Sequence, residues 1–467
     1  MATGRQTRTA AKLSFCRKPQ TPMRAVRTLA QRQTPSRRMD AKPLWLRRAE
    51  GLPGRRSITS AEHTLVNLVR SQGEATKTDL VSLTEYSRTK VSACIESLLG
   101  KGILVTNQST EYSGGRRARS YRLNEGLGLV AGIQVGATGL EVGIADFSGR
   151  IQVHHEEAGA VRDGPIICLS RACSLVEGLL KKNQLEGIPL VGIGMGVPGP
   201  VDFAVGTVVS PPIMPGWDRY PIIDTVQQWF PGVNVVVDND VNVMALGEAA
   251  LGVAQGIHNL IFVKIGTGIG AGIVCEGDIY RGSSGCAGDI GHICIDKDGP
   301  VCPCGNKGCL EKIAAGPAIA ERSLAAARSG ESPRLLEAYD KNGGMLRAED
   351  VGVAAREGDS VALRVIRESG ERVGEVLAAL VNFYNPDMIV IGGGVSNLGD
   401  ILLSSIRQAI LGRSLPLATR NLQIVFSSIG GQAGILGGIS LALEYAFNAE
   451  PVGTAPSRRV ERAGATL

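Results

Sequence analysis

Between residues 58 and 124, apolar residues recur at the spacing of helices, and the pattern changes near residue 125. A first helical stripe ends at Gly73 and consists of Leu65, Val66, Leu68 and Val69. A second short helix is predicted to open at Thr78, and Ser87 is suited to cap the N-terminus of a third helix over residues 88–99. One buried face of that third helix is predicted from the spacing of Val91, Ile95, Leu98 and Leu99.

Polar and basic residues cluster where this small helical unit would meet another molecule. A strand from Gly102 leads to a hairpin with Gly114 and Gly115 at its tip. The start of the third helix offers Ser87, Arg88, Thr89, Lys90 and Ser92, and the hairpin offers Arg116, Arg117 and Arg119. Three helices followed by a basic hairpin predict a winged helix-turn-helix DNA-binding domain over residues 58–124, with these side chains on bases and phosphates. The alternative is a small helical domain with a solvated basic hairpin.

From residue 125 to 446 the pattern changes to strands separated by glycine turns. One predicted hairpin covers residues 129–146, and a second covers residues 260–274. Further strands are predicted over residues 189–197 and 233–238, with helices between them, so α/β layers with mixed sheets are expected. Because each half opens with a glycine-turned hairpin, the sequence suggests an internal duplication with a cleft between the halves.

Composition and charge narrow the class of protein. The chain has 467 residues, 43% hydrophobic and 20% charged, which suits a globular protein of about three structural units. No apolar stretch approaches the length of a bilayer-spanning helix, so we expect no membrane association. Residues 1–57 hold 15 basic and 2 acidic residues, a net charge of +13, whereas residues 125–467 hold 26 basic and 36 acidic residues, a net charge of −10. The basic front predicts nucleic acid as a partner.

The two ends of the chain are expected to be disordered tails, residues 1–57 and 447–467. The basic tail is open to several interpretations: a DNA-contacting arm, a non-specific solvated segment, or an untranslated stretch with Met23 or Met39 as the true start. Its arginine-rich, acid-poor composition also resembles an organellar transit peptide. No apolar signal segment opens the chain, so we expect a cytoplasmic protein with reduced cysteines.

Four residues in a glycine-rich stretch form a candidate metal site. His292, Cys302, Cys304 and Cys309 offer one imidazole and three thiolates, a set that suits tetrahedral zinc. A full shell of four protein ligands leaves no open position, so the zinc is expected to be structural. The alternative is four reduced side chains that simply pack together.

Several motifs resemble those of the ROK family, named for repressors, open reading frames and sugar kinases. They occupy residues 238–248, 266–272, 287–292 and 302–311. The resemblance runs from about residue 60 to about residue 446 and includes the winged helix of the family's repressor branch. It implies the two-lobed α/β fold of sugar kinases, actin and heat-shock ATPases, following an N-terminal winged helix-turn-helix.

The resemblance also implies a sugar site. The positions that match the family's ring-binding residues are Asn239, Asp240, Asp289, His292 and Glu311. In family kinases the residue matching Asp240 is the general base for the attacking hydroxyl, and here we expect it to be vestigial. Family kinases carry glutamate at the position of Asp289, so the sugar preference is expected to differ.

The first phosphate loop departs from the kinase pattern. Family kinases have an aspartate that organises magnesium and a glycine that cradles phosphate, where this chain has Gln134 and Ala137. Phosphoryl transfer depends on positioning and charge neutralisation, so ATP and Mg²⁺ are not expected as cofactors. The second loop, residues 266–270, and the turn at residues 392–394 keep their glycines, but the fold itself also needs these turns.

These features predict a sugar-responsive transcriptional repressor, active as a homodimer or homotetramer on operator DNA. Half-sites of a palindromic operator are expected about 10 or 21 base pairs apart. One alternative is a glucokinase-like, ATP-dependent sugar kinase, either alone or combined with regulation. Another is a regulator whose effector is a phosphosugar or a partner protein.

Overall fold

The N-terminal part of the structure is a small unit of three helices and three short strands. The computed structural model describes residues 58–108, 119–159, 161–211 and 214–446. This unit contains α1 (Ser60–Gln72), β1 (Ala75–Thr76), α2 (Lys77–Ser82), α3 (Arg88–Gly100), β2 (Leu104–Gln108) and β3 (Arg119–Leu123). Its antiparallel sheet has the order β1-β3-β2. The hairpin tip with Arg116 and Arg117, and both predicted tails, lie outside the described residues.

Polar caps explain where these helices begin. Thr59 and Thr76 each form a capping box, with Glu62 and Asp79 as the reciprocal partners. The hydroxyl of Ser87 accepts from the Lys90 N–H at 3.2 Å, which confirms the predicted N-cap of α3. The buried face of α3 consists of Val91, Cys94, Ile95 and Leu98. Leu99 is half-buried and packs against the same core, and Cys94 is a member of the buried face that the predicted spacing did not include.

The first lobe of the large domain is built on a five-stranded mixed sheet. Its elements are β4 (Leu129–Val135), β5 (Gly139–Asp146), β6 (Ile151–Ala158), α4 (Pro165–Lys182), β7 (Leu190–Val197), β8 (Val201–Asp202), β9 (Thr207–Val208), α5 (Ile222–Trp229) and β10 (Asn234–Asn239). The sheet order is β10-β7-β4-β5-β6. Strands β4, β5 and β6 form an antiparallel meander, and β7 and β10 add in parallel.

The second lobe repeats this topology. Its elements are α6 (Asp240–Leu251), β11 (Leu260–Ile265), β12 (Ile269–Cys275), β13 (Asp278–Ile279), α7 (Leu310–Ala314), α8 (Gly316–Arg328), α9 (Pro333–Lys341), α10 (Ala348–Arg356), α11 (Ser360–Tyr384), β14 (Met388–Gly392), α12 (Asp400–Arg413), α13 (Pro416–Thr419), β15 (Gln423–Phe426) and α14 (Ala433–Tyr445). The sheet order, β13-β12-β11-β14-β15, matches that of the first lobe strand for strand. The predicted internal duplication is therefore visible in the fold.

Two helices cross at a close contact between the lobes. Helix α6 packs on the second sheet, and α14 packs on the first sheet and on α1. At the crossing, a Cβ added to Gly247 would come within 2.5 Å of the Ala433 carbonyl oxygen, and one added to Gly437 would approach the Val243 carbonyl oxygen even more closely. Both positions therefore require glycine. Within the described ranges, none of the helices combines the length and hydrophobicity that a bilayer span would need.

Candidate functional site

The four predicted metal ligands come together in one cluster. The ligand atoms of His292, Cys302, Cys304 and Cys309 all lie within 4.8 Å of one another. The Sγ atoms of Cys304 and Cys309 are 3.7 Å apart, and His292 Nδ1 lies 3.7 Å from Cys302 Sγ. Zinc–sulfur bonds of about 2.3 Å in a tetrahedral site place neighbouring sulfurs about 3.8 Å apart. The donor set and its spacing therefore fit a closed tetrahedral metal site.

Tight backbone turns build this cluster and join it to the rest of the second lobe. The Cys302 N–H donates to the Asn306 carbonyl at 2.8 Å, which closes the loop that carries two of the thiols. Gly308 has a φ of +66°, a conformation that favours glycine. From the following helix, Glu311 Oε2 accepts from the Ile269 N–H at 3.0 Å. The metal cluster is thus connected through Glu311 to the second glycine turn.

Asn239 and Asp240 lie at the junction of β10 and α6. Asn239 Oδ1 accepts from the Val241 N–H at 2.9 Å, and Asn239 Nδ2 donates to the Gly199 carbonyl at 2.8 Å. Its side chain therefore caps α6 and holds the neighbouring loop. The capping role was not anticipated from the sequence, although an asparagine before an apolar helix is a recognisable signal for it.

Asp240 is the centre of a group of charged side chains. Lys264 Nζ, at the end of β11, donates to Asp240 Oδ2 at 2.5 Å, and the side chains are only 20% and 5% exposed. Asp289 lies near enough to interact with both Asp240 and His292: burial raises the pKa of Asp289, Asp240 raises it further, and His292 opposes the shift. The structure therefore brings Asp240, Asp289 and the metal cluster together, and it adds Lys264, which the sequence interpretation missed.

The first lobe contributes an amide and a carboxyl group to the same cleft. Gln134 on β4 is 3% exposed, and it pairs in register with Glu141 on β5. Its side chain packs against Gly196 and Gly434, where a Cβ would collide with the amide. Burial raises the pKa of Glu141 to about 7; Glu156 adds to the shift and Lys264 opposes it. Near neutral pH this wall of the cleft therefore carries less negative charge than an ordinary glutamate would give it.

Behind the β10–α6 junction lies a second ion pair that sequence reasoning also missed. Arg281 Nη2 contacts Asp238 Oδ2 at 2.7 Å, and the guanidinium stacks on the Phe203 ring 3.7 Å from its centre. Asp238 Oδ1 accepts from Asn242 Nδ2 at 3.0 Å. This network fixes the start of α6 and hence the direction of Asp240.

Most of the chain matches one known protein family. The model of the ROK family matches residues 130–445. The chain belongs to the ROK family. The two duplicated lobes, the cysteine-rich loop and the aspartate at the start of α6 are thus the ROK domain of this protein.

Relatives within the ROK family include both enzymes and regulators. The chain is 34% identical over 308 residues to a glucokinase of Halalkalibacterium halodurans, covering 66% of this chain and 92% of that protein. It is 30% identical over 367 residues to a xylose repressor of Caldicellulosiruptor bescii, covering 79% of this chain and 91% of that protein. A solved ROK family transcriptional regulator, described as a homolog of the E. coli MLC protein, superposes with a TM-score of 0.70 at 26% identity, covering 84% of this chain and 99% of that chain. The similarity to the two regulators extends over more of this chain than the similarity to the glucokinase.

Outside the ROK domain, the predicted DNA-contacting residues of α3 lie at its exposed N-terminal end. Arg88, Thr89 and Lys90 are exposed, whereas Ser92 is half-buried and donates to the Arg88 carbonyl at 2.7 Å. The Lys90 ammonium lies 3.8 Å from the centre of the Tyr86 ring. Arg119, at the start of β3, is exposed as well. The described basic side chains are therefore accessible to a partner.

Proposed function

We propose that this protein is a sugar-responsive DNA-binding transcriptional regulator, a repressor, whose ROK domain binds the sugar effector. The observation that carries the proposal is a single apolar core shared by the two parts. Leu65 and Val69 of α1 belong to the same buried cluster as Ile439 and Leu443 of α14, which also packs on the first sheet. A change in the cleft can thus reach the helical unit through packed elements.

The cleft supports effector binding better than phosphoryl transfer. Gln134 supplies no charge at the place where a kinase needs a metal-facing carboxylate. Lys264 donates to Asp240, so one oxygen of the candidate base is already hydrogen-bonded and the space beside it is filled by an ammonium. A general base must be within reach of the hydroxyl proton it removes. These features favour a sugar receptor, with Asn239, Asp240, Asp289, His292 and Glu311 as its ring-binding side chains.

We further propose that the cluster at His292, Cys302, Cys304 and Cys309 holds a structural Zn²⁺. Bound zinc would supply folding free energy to the loop rather than a reaction step. Its role would be to fix Glu311, and through Glu311 the second glycine turn. The geometry of the four donor atoms supports this assignment.

For the helical unit we propose a winged helix that contacts operator DNA in the cytoplasm. The N-terminal residues of α3, namely Ser87, Arg88, Thr89, Lys90 and Ser92, would enter the major groove, while Arg119 and its neighbours Arg116 and Arg117 would contact phosphates or the minor groove. A homodimer would match a palindromic operator. Sugar binding would shift the equilibrium between arrangements of the two heads by its differential affinity for them.

The test is sugar-dependent release of DNA by the full-length, zinc-replete protein. Duplexes would first be selected from a random library, and binding would then be followed by fluorescence anisotropy with D-xylose, D-glucose, D-mannose and N-acetyl-D-glucosamine. We expect at least one free sugar to weaken DNA binding about tenfold or more, equivalent to about 1.4 kcal/mol. The double variant Arg88→Ala/Lys90→Ala should weaken DNA binding at least tenfold and leave sugar binding unchanged. Lys341→Ala, on an exposed face of α9, is the matched control. Sequence-specific DNA binding that no sugar alters would contradict the proposal.

A sugar kinase is the second candidate, and the retained glycine turn at residues 266–270 is the observation that favours it. A coupled assay with ATP, Mg²⁺ and the same sugars separates the two functions. We expect no turnover above background, because the first phosphate loop has Gln134 in place of the kinase aspartate and Lys264 is hydrogen-bonded to Asp240. Turnover near one per second would make this protein a kinase instead.

A further inference from the structure

Lys264 and Asp240 form a largely buried ion pair beside the candidate sugar residues. Lys264 is the single charged residue of β11, a strand otherwise made of apolar residues. Its side chain is 80% buried, and its Cε lies 3.8 Å from where a Cβ on Gly266 would be. The ammonium therefore sits between the candidate sugar residues and the second glycine turn.

Acidic side chains lie near this pair and near the glycine turn beside it. The first-lobe hairpin presents Glu141, with Glu156 opposite it in the sheet register. The loop before the metal cluster presents Asp289, and α7 presents Glu311 beside Gly268. Among the described residues, the one lysine or arginine that pairs with Asp240 or acts on Glu141 is Lys264. Its positive charge is thus already balanced by a buried carboxylate.

This balance has a consequence for the class of effector. A neutral sugar hydroxyl can donate to the remaining oxygen of Asp240 and accept from the Lys264 ammonium, so the pair offers both hydrogen-bonding partners at once. A phosphosugar would bring about two negative charges toward these carboxylates, and the cation beside them, Lys264, is already paired with Asp240. We propose that Lys264 is a specificity-determining residue that, paired with Asp240, reserves this cleft for an uncharged sugar. This inference rests on the proposed function and narrows it.

Isothermal titration calorimetry of the full-length, zinc-replete protein tests the inference directly. The probes are D-xylose, D-glucose, D-mannose and N-acetyl-D-glucosamine, and the 6-phosphates of the three hexoses. We expect the hexose that binds best to bind at least about 100-fold more tightly than its own 6-phosphate, a difference of about 2.7 kcal/mol. If D-xylose binds best, we expect the same difference between D-xylose and each of the 6-phosphates. A 6-phosphate that binds as tightly as its neutral parent would overturn the proposal.

The variant Asp240→Asn separates charge from shape, because it leaves Lys264 as an unpaired cation in nearly the same pocket. Discrimination against the 6-phosphate should fall at least tenfold, by a gain in phosphosugar affinity as well as a loss in sugar affinity. Equal weakening of both ligands would show that charge pairing does not set specificity. The variant Lys264→Met gives an independent answer, since we expect it to weaken the neutral sugar and still exclude the phosphate. A selective loss of phosphosugar affinity in Lys264→Met would show that the lysine serves a phosphate instead.

Controls keep this inference distinct from the proposed function. Lys341→Met removes an exposed lysine of α9 and should change neither ligand, and thermal melting identifies any variant that fails to fold. If neutral sugars bind and release DNA but Asp240→Asn leaves the discrimination intact, the role of the Lys264–Asp240 pair is wrong and the regulator stands. If no probe binds the wild-type protein or alters its DNA binding, the regulator and this inference fall together.

Discussion

The two lobes have the same strand order but have diverged at equivalent positions of their opening hairpins. Gln134 is the penultimate residue of β4 and lies in register with Gly196 on the parallel neighbour β7. Lys264 is the penultimate residue of β11 and lies in register with Gly392 on the parallel neighbour β14. Across the hairpins the partners are Glu141 in the first lobe and Gly270 in the second. The duplicated fold thus places an amide and a cation at corresponding points of the cleft.

This difference shows that the fold can be kept while the chemistry of a site is replaced. Both positions have glycine as a neighbour because a side chain would not fit there. A Cβ at Gly196 or at Gly434 of α14 would collide with the Gln134 side chain, and a Cβ at Gly392 would collide with the Phe262 ring. The polar side chains at these two positions have different partners: Gln134 packs against Gly196 and Gly434, and Lys264 pairs with Asp240. In the first lobe the result is a buried amide beside a carboxyl group, whereas the second lobe combines Lys264, Glu311 and the cluster of potential metal ligands.

The largest effect should come from breaking the metal cluster, which belongs to the second lobe alone. We expect Cys302→Ser to abolish zinc retention and to destabilise the loop and its neighbours by at least about 4 kcal/mol, because the buried ligands lose the ion that holds them together. Sugar affinity should fall at the same time, since Glu311 lies two residues after Cys309, in the first turn of α7. Metal analysis and thermal melting with and without a chelator would check this.

The matched control for that variant is Cys294→Ser. Cys294 is exposed and lies close in sequence to His292, but it does not belong to the cluster. It should retain zinc and the wild-type melting temperature. A Cys302→Ser protein with full zinc content and unchanged melting would refute the structural role.

A smaller but still clear effect is expected at the crossing that holds the two lobes together. Gly437→Ala would force a methyl group of α14 against the Val243 carbonyl of α6, at a cost of about 1–3 kcal/mol. Because α14 also packs on α1, the variant should weaken the effect of sugar on DNA binding more than sugar binding itself. Chemical denaturation measures the stability, and anisotropy titrations with and without sugar measure the coupling.

Gly412→Ala supplies the control for this substitution. Gly412 lies inside α12, and a Cβ there would meet nothing within 4 Å. Alanine should be neutral or stabilising by up to about 1 kcal/mol through its higher helix propensity. Similar losses in both variants would mean that the close packing of α6 and α14 is unimportant.

Much of the fold follows from the sequence because its signals are local. The cap at Ser87 and the glycine turns of both hairpins depend on residues a few positions apart, and the structure confirms them. The cysteine cluster is nearly as local, since three of its members lie within eight residues. Spacing alone could therefore indicate these features.

The side chains that give the cleft its electrostatics depend on distant parts of the chain. Lys264 meets Asp240 across 24 positions, and Arg281 meets Asp238 across 43. Such pairs form only when distant elements pack together, as β11 does beside α6 for Lys264 and Asp240. A lone lysine in an apolar strand is a signal that a buried partner exists, but it does not identify that partner.

The smallest effect, and the one that sharpens the contrast between the hairpins, concerns Glu141. Its pKa of about 7 is raised above the ordinary value by burial, so folding favours its neutral form. Its contribution to stability is therefore present below about pH 4.5 and is lost as the pH rises toward 7. Glu141→Gln keeps the neutral form at every pH and should stabilise the protein at pH 8 but not at pH 5. With partial solvent screening the gain is on the order of 1 kcal/mol, or about 1 °C in Tm for a chain of this size.

Two further variants connect this titration to the rest of the cleft. Glu177→Gln, on the exposed side of α4, removes a surface charge and should leave the difference between pH 5 and pH 8 unchanged. Lys264 opposes the shift of Glu141, so in Lys264→Met the stability loss should extend to higher pH, and Glu141→Gln should then stabilise more strongly at pH 8. Additive effects of the two substitutions at pH 8 would mean that the hairpins of the two lobes do not interact through charge. A non-additive gain would show that the cation of the second lobe controls the carboxyl group of the first.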